Sequence, residues 1–234
     1  PRTEDAPGLA GATPARQLVD IDPEEKVVGL VPVGPADHAP IVLATAGGVI
    51  KRVKPGDEPR NAEAWEVISL SGGDRVIFAG TAADTDFLAL VTSDAQLLRF
   101  QAAKVRPQGR GAGGMAGISL REGARVIAGA AVPEELLAEA VVVTVAGSEG
   151  SLPGTGGGSV KVTPLDRYPA KGRATGGVRS HRFLRGEDEL VTAWVGVAPA
   201  RALSEDGKPI ALPQADERRD GSGSPLPAPI VGIG

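Results

Sequence analysis

Two glycine-rich loops in this chain combine backbone freedom with positive charge. The first contains Gln108, Gly109, Arg110, Gly111, Gly113 and Gly114. The second runs from Lys171 to Gly177 and includes Arg173. Glycine lets backbone amides approach a phosphate closely, and arginine offers a forked pair of donors to phosphate oxygens. The loops therefore predict phosphate contacts, and nothing in them is suited to reading bases.

Positive charge is concentrated around these loops although the chain is acidic overall. The net charge is −4, yet residues 101–117 and 167–182 hold eight basic residues and no acid, which leaves −12 elsewhere. A phosphate backbone is repelled by an acidic surface, so only the basic segments could follow a DNA duplex. Solvated surface loops are the alternative interpretation. The candidate DNA contacts are Lys51, Arg52, Lys104, Arg106, Arg110, Arg167, Lys171, Arg173 and Arg179.

The loops belong to a unit that recurs about every fifty residues, a period typical of propellers. Apolar first strands are expected at Val27, Val76, Val126 and Leu190, and a low-complexity insertion at 147–158 lengthens the third unit. Four strands per unit, the fourth beyond the basic loop, predict an all-β fold of blades. Within a single repeat domain, 1–22 would end a preceding blade or form a linker. The blades would be 23–73, 74–123, 124–187 and 188–234.

Local patterns give further expectations. Charged residues on the third strand of each unit, such as Lys51 and Arg52, should face water. A fourth strand is expected at Glu66–Leu70, and the one helix candidate is Pro133–Glu139. With no cysteine and two histidines, the chain offers neither a disulfide nor a histidine-rich metal site, and no metal site is predicted. His181 is expected on the surface.

No targeting segment or membrane span is expected. Apolar runs fall well short of the roughly 18 residues that indicate a membrane span, and the polar start does not resemble a signal peptide. The chain is expected to be an intracellular piece of a longer protein.

Two segments resemble a known family. Val160 to Arg173 is similar to a strand, a Thr-Pro-Leu turn and a basic loop of the C-terminal DNA-wrapping domain found in the A subunits of DNA gyrase and topoisomerase IV, the bacterial type IIA topoisomerases. Arg106 to Arg110, together with Gly117 to Gly123, is similar to another blade of that domain. The resemblance covers nearly the whole chain from about Leu9. It implies a β-pinwheel of about four blades of four strands that exchange strands, with duplex DNA bent around a basic rim.

The resemblance also implies a role and partners. The chain would be a non-catalytic part of an ATP-dependent isomerase whose catalytic residues lie elsewhere, and it would guide DNA segments to the cleavage core. Its partners would be double-stranded DNA, the A subunit's catalytic core and the ATPase B subunit, in a cytoplasmic, nucleoid-associated setting without a membrane. No cofactor is expected in this chain, since ATP and Mg²⁺ would belong to the rest of the enzyme. A propeller-like scaffold for protein interaction remains the alternative.

The first loop departs from the family's pattern. In gyrase a signature box has glutamine, two basic residues and then Gly-Gly-Lys-Gly. Here Gln108 to Gly114 is similar to that box but lacks the second base and the lysine, and the second loop lacks the glutamine too. The departure favours the topoisomerase IV type, which bends DNA without driving negative supercoiling. Tyr168, the only tyrosine, matches a structural aromatic of the family rather than the cleavage nucleophile.

Overall fold

A computed structural model describes residues 17, 19, 21–22, 24–32, 38–57, 62, 64–148 and 158–234. Most of the segment 1–22, predicted to end a preceding blade or form a linker, and most of the insertion at 147–158 lie outside these residues.

The described residues form short strands joined by turns and three single 3-10 turns. Enrichment in valine and leucine favours strands over helices here. The 3-10 turns are Ala102–Lys104, Glu134–Leu136 and Leu165–Arg167. The strands are β1 (Ile41–Thr45), β2 (Val49–Val53), β3 (Val76–Thr81), β4 (Phe87–Thr92), β5 (Gln96–Gln101), β6 (Pro107–Gln108), β7 (Met115–Ala116), β8 (Val126–Val132), β9 (Ala140–Gly147), β10 (Ser159–Pro164), β11 (Val178–Arg179), β12 (Glu189–Val197), β13 (Ala202–Leu203), β14 (Pro209–Ile210), β15 (Ser224–Pro225) and β16 (Gly232–Ile233).

The first three sheets take their strands from two consecutive units. In each of them a central hairpin (β1–β2, β4–β5 or β9–β10) pairs its first strand with the opening strand of the next unit (β3, β8 or β12). In the fourth sheet β13 pairs with both β14 and β16. The second strand of the first three hairpins pairs with a two-residue strand beyond the next glycine-rich loop (β7, β11 or β15). The first sheet also holds β6, parallel to β2. The described residues thus form four sheets, three of them with exchanged strands, which confirms the predicted all-β, propeller-like class.

The core lies between neighbouring sheets. On β4, Leu88 and Leu90 pack in the cluster shared with the first sheet, whereas Ala89 and Val91 pack in the cluster shared with the third. Successive side chains of a strand point to opposite faces, so this central strand contributes to two cores. All six of its residues are buried. Because both faces of such a sheet are covered, its strands read as continuous apolar runs.

Three predicted elements are wrong or shortened. Residues 24–32, around Val27, and residues 64–70, which include the predicted strand Glu66–Leu70, are irregular. The exchange pattern would pair both segments with a hairpin ahead of β1, and the described part of the chain has no such hairpin. The predicted helix at Pro133–Glu139 is a single 3-10 turn, because β9 begins at Ala140. None of the described helices has the length and apolar character needed to cross a membrane.

Candidate nucleic-acid interface

The two basic loops, residues 108–114 and 171–177, occupy equivalent places in consecutive units. Each one leads into an exchanged strand, β7 or β11. The last residue of each loop has a positive φ, +86° at Gly114 and +73° at Gly177. A Cβ atom would lie 2.7 Å from Val49 Cγ1 at Gly114 and 2.5 Å from the Leu97 carbonyl oxygen at Gly177. Only glycine fits both the conformation and the space, which explains why each loop ends in glycine.

The second loop contacts the residues that flank the first loop on either side, Lys104 and Gly117. The Lys104 ammonium donates a hydrogen bond of 2.9 Å to the Lys171 carbonyl, and Arg173 Nε donates one of 3.2 Å to the Lys104 carbonyl. The amide of Ala174 also donates to the Gly117 carbonyl at 2.7 Å. The fold therefore joins the two basic segments, about sixty residues apart in sequence, into one continuous rim.

Most of the candidate cations lie on this rim. Arg106 and Arg179 form no side-chain hydrogen bond or ion pair with any other described residue, so their guanidinium groups are free to meet an external anion. Arg110 and Arg173 are partly buried. The exposed candidates are Lys104, Arg106, Arg167, Lys171 and Arg179.

Carboxylates already pair with two of the candidates on the rim, Arg110 and Arg167. Asp57 Oδ2 accepts the backbone amide of Arg110 at 3.1 Å and lies 4.0 Å from its Nε. Arg167 pairs with Asp166 at 3.7 Å and with Glu217. Exposed ion pairs are weak, about 0–1 kcal/mol, so a phosphate could replace either carboxylate.

Lys51 and Arg52 do not lie on the rim. Both are buried, at 0% and 2% exposure, which corrects the expectation that their side chains face water. Arg52 donates to the carbonyls of Ala82 and Ala102, each at 3.1 Å, and of Val105 at 3.2 Å, and its Nη1 lies 2.7 Å from the exposed Asp84. The Lys51 ammonium is enclosed by loop carbonyls, and burial lowers its pKa. Both side chains can be buried because backbone carbonyls replace water as their hydrogen-bond acceptors.

Two further buried cations were not among the candidates. Lys161 on β10 stands where Lys51 stands on β2, and Arg99 on β5 stands where Arg52 stands. Burial lowers the pKa of Lys161 to about 8 against the opposing charges of Asp216 and Asp220. Arg99 lies over the Phe87 ring, 4.8 Å from its centroid. In the sequence, these two residues could have been found because a basic residue recurs at these strand positions.

His181 is also buried, at 1% exposure, contrary to the predicted surface position. Its Nε2 accepts the Gly223 amide at 3.2 Å, so Nδ1 carries the ring hydrogen and donates it to Thr144 Oγ1 at 2.9 Å. Burial, and then the charge of Lys161, lowers the pKa of His181 to about 4. The ring is therefore neutral at physiological pH and is part of the third sheet's framework.

Tyr168 lies in the core, as predicted for a structural aromatic. It is fully buried and packs in the cluster between the second and third sheets. Burial raises the pKa of its hydroxyl. In the described residues no group of histidine and carboxylate side chains is arranged to hold a metal ion.

Comparison with known proteins connects this architecture to a family. The family model described as the DNA gyrase C-terminal domain, β-propeller, matches residues 86–133 and 154–193. The chain is 33% identical over 202 residues to the DNA gyrase A protein of Nocardioides sp., covering 76% of this chain and 22% of that protein. It is 30% identical over 183 residues to the DNA gyrase A protein of Mycolicibacterium smegmatis, covering 76% of this chain and 20% of that one. The chain thus spans about a fifth of the length of these relatives.

Solved structures show the same fold. The C-terminal domain of DNA topoisomerase IV superposes with a TM-score of 0.74 at 18% identity, covering 94% of this chain and 68% of that one. The DNA gyrase A C-terminal domain gives 0.69 at 17% identity, covering 95% and 74%. The named relatives are gyrases, so these matches do not bear out the topoisomerase IV subtype that the loop sequence favours. Together with the strand exchange, they show that the chain belongs to the family of C-terminal domains of DNA gyrase A and its topoisomerase IV counterpart.

Proposed function

We propose that this chain binds duplex DNA without sequence preference along the rim formed by the two basic loops, and bends it there. The observation that carries the proposal is the contact between the second loop and the residues that flank the first, through Lys104, Lys171 and Arg173. This contact turns two separate basic segments into one surface. A duplex that bends to follow both segments would gain phosphate contacts that a straight duplex could not make.

The chemistry of the rim suits phosphate rather than bases. Arginine and lysine side chains and backbone amides supply donors to phosphate oxygens, and these contacts fix a duplex without reading its sequence. Aromatic residues make up 3% of the chain, so stacking on unpaired bases is not a comparable source of affinity. The free guanidinium groups of Arg106 and Arg179 are the strongest candidates for direct phosphate contacts.

The domain's place in a larger protein is part of the proposal. Similarity to gyrase A proteins supports a non-catalytic domain within the A protein of a type IIA topoisomerase, which would work in the cytoplasm and guide DNA to the cleavage core. The B subunit, ATP and Mg²⁺ would act on other parts of that enzyme. The absence of a second base and a lysine from residues 108–114 supports a topoisomerase IV-like role, bending without driving negative supercoiling.

The salt dependence of duplex binding tests the proposal. Each phosphate contact contributes about 0.9 to the slope of log K against log salt concentration. Arg106→Gln combined with Arg179→Gln should weaken binding and reduce that slope by about two, measured by fluorescence anisotropy on a labelled duplex of several tens of base pairs. Neither substitution removes a side-chain hydrogen bond between described residues, so folding should be unaffected.

Lys208→Gln is the matched control. Lys208 is highly exposed but lies in the turn between β13 and β14, outside the basic loops, and should leave affinity and slope unchanged. Equal slopes for the double variant and the unmodified chain would contradict the rim assignment. Absence of duplex binding by the unmodified chain would favour the protein-interaction scaffold.

A further inference from the structure

A buried lysine holds the first basic loop from below. The Lys51 ammonium donates hydrogen bonds to the carbonyls of Arg110 at 2.6 Å and Ala112 at 2.7 Å, both within the loop. Its third bond, of 2.7 Å, goes to the Val67 carbonyl. An ammonium group has three donors, and here all three are used while the side chain is 0% exposed. A residue of one unit therefore fixes the loop of the next.

The same device recurs two units later. Lys161 is 2% exposed, and its ammonium donates to the carbonyls of Ser180 at 2.9 Å, Arg218 at 3.1 Å, Gly221 at 3.3 Å and Arg219. The last three lie in the third loop, residues 218–223, which leads into β15. Strand register makes the two lysines equivalent, because Ile50 pairs with Met115 and Val160 pairs with Ser224. Recurrence at one register position shows that the contact belongs to the unit.

The middle unit lacks this lysine and shows what replaces it. Leu98 on β5 stands at the equivalent position and is fully buried. The second loop is tied from its outer side instead, by the Ala174 amide on Gly117 and by Arg173 on the carbonyls of Lys104 and Ala116. An apolar residue is therefore compatible with the fold at this position. Contacts with Lys104, Ala116 and Gly117 therefore hold the second loop in place without a buried lysine.

The hydrogen bonds have an electrostatic consequence for the loop surface. A carbonyl oxygen carries a partial negative charge that repels a phosphate. Because the Lys51 ammonium binds the oxygens of Arg110 and Ala112, it offsets their partial negative charge. The buried positive charge adds to the potential of the rim at short range.

We infer that Lys51 and Lys161 are positioning residues for DNA binding, which pre-order the first and third loops for phosphate without touching it. The inference rests on the proposed function. It also extends the rim to the third loop, where Arg218 and Arg219 lie. A pre-ordered loop does not lose conformational entropy when the duplex binds, so the affinity is higher for the same set of contacts.

Lys51→Met tests the inference, because methionine keeps the alkyl stem and removes only the ammonium. Duplex affinity should fall about tenfold, while the salt slope stays that of the unmodified chain, since no phosphate contact is lost. Backbone amide exchange over residues 109–114 of the free chain, measured by mass spectrometry, should become faster. The matched control is Leu98→Met, which should change neither affinity nor exchange in that loop.

Different results would contradict the positioning role of Lys51 and the proposed duplex binding. A slope reduced by about one would mean that Lys51 itself meets a phosphate, and unchanged affinity despite faster exchange would mean that loop order is irrelevant; either overturns the positioning role. Failure of the unmodified chain to bind duplex would overturn the proposed function instead. Should Lys51→Met not fold, Lys161→Met carries the same measurements with the loop at 218–223.

Discussion

The buried cations Lys51, Arg52 and Lys161 donate their hydrogen bonds to backbone carbonyl groups. Arg52 illustrates the point, because three carbonyls accept its hydrogen bonds while its one carboxylate partner, Asp84, is 74% exposed. Hydrogen bonds to a charged group contribute about 1.5–3 kcal/mol each, more than an exposed ion pair does. The guanidinium therefore fastens the 3-10 turn at Ala102–Lys104 to β2, and Asp84 adds little.

Stability should depend on pH through His181. The folded chain holds the pKa of this ring at about 4, and the unfolded chain binds a proton near the ordinary value of 6.5. Between these values the unfolded state binds more protons, so stability is fully present above about pH 6.5 and falls as pH drops toward 4. The loss is on the order of 3 kcal/mol. Urea denaturation at a series of pH values measures it.

His181→Asn should flatten that pH dependence, since the titrating group is gone. Lys161 and Glu187 face the ring and stay in place, and the exposed His38→Gln serves as the matched control. An equally steep fall between pH 6.5 and 4 in the His181→Asn chain would show that another group is responsible.

At the scale of elements, the central hairpins could be predicted and their partners could not. The strands around Leu43, Leu90 and Val143 are continuous apolar runs, which the sequence shows directly. Their outer partners are two-residue strands more than sixty residues away, too short to leave a pattern. Lys51 and Lys161 were expected to face water, because an alternation of polar and apolar residues along a strand normally means that one face of the sheet is exposed to solvent. In these sheets the second face is covered by the next unit's loop.

Gly177→Ala tests the junction between loop and exchanged strand. The substitution forces a Cβ atom into a left-handed conformation against the Leu97 carbonyl, and it should cost at least about 2 kcal/mol of unfolding free energy. Gly172→Ala, in the same loop, places its Cβ no closer than 3.8 Å to Thr175 and should be nearly neutral. Chemical denaturation compares the two. Equal losses would mean that the junction at Gly177 is not the rigid point.

At the scale of the whole molecule, strand exchange should make the array unfold as one unit. In ordinary repeat proteins neighbouring units touch only through an interface, and cooperativity can break down. Here the first three sheets also share backbone hydrogen bonds with the next unit, and the core clusters bridge sheets.

The two tryptophans report on this coupling from distant parts of the chain. Trp65 precedes β3, whereas Trp194 lies on β12 and packs between the third and fourth sheets. Urea transitions followed by fluorescence in Trp65→Phe and Trp194→Phe should each coincide with the loss of circular dichroism of the same sample. Clearly separated midpoints for the two probes would show that the units unfold independently.

Strand exchange also delays strand pairing during synthesis of the chain. The hairpin of β1 and β2 ends at Val53, and the strand that completes it antiparallel to β2 begins at Met115. At about 5–20 residues per second, a ribosome needs roughly 3–12 s to supply that strand. During this delay β2 is an unpaired edge of the nascent chain, open to pairing with a wrong strand. Lys51 and Arg52 lie on that edge, and charged edge residues discourage such pairing. Lys51 and Arg52, which are buried in the complete fold, should thus discourage wrong pairing of the hairpin until β7 has been synthesised.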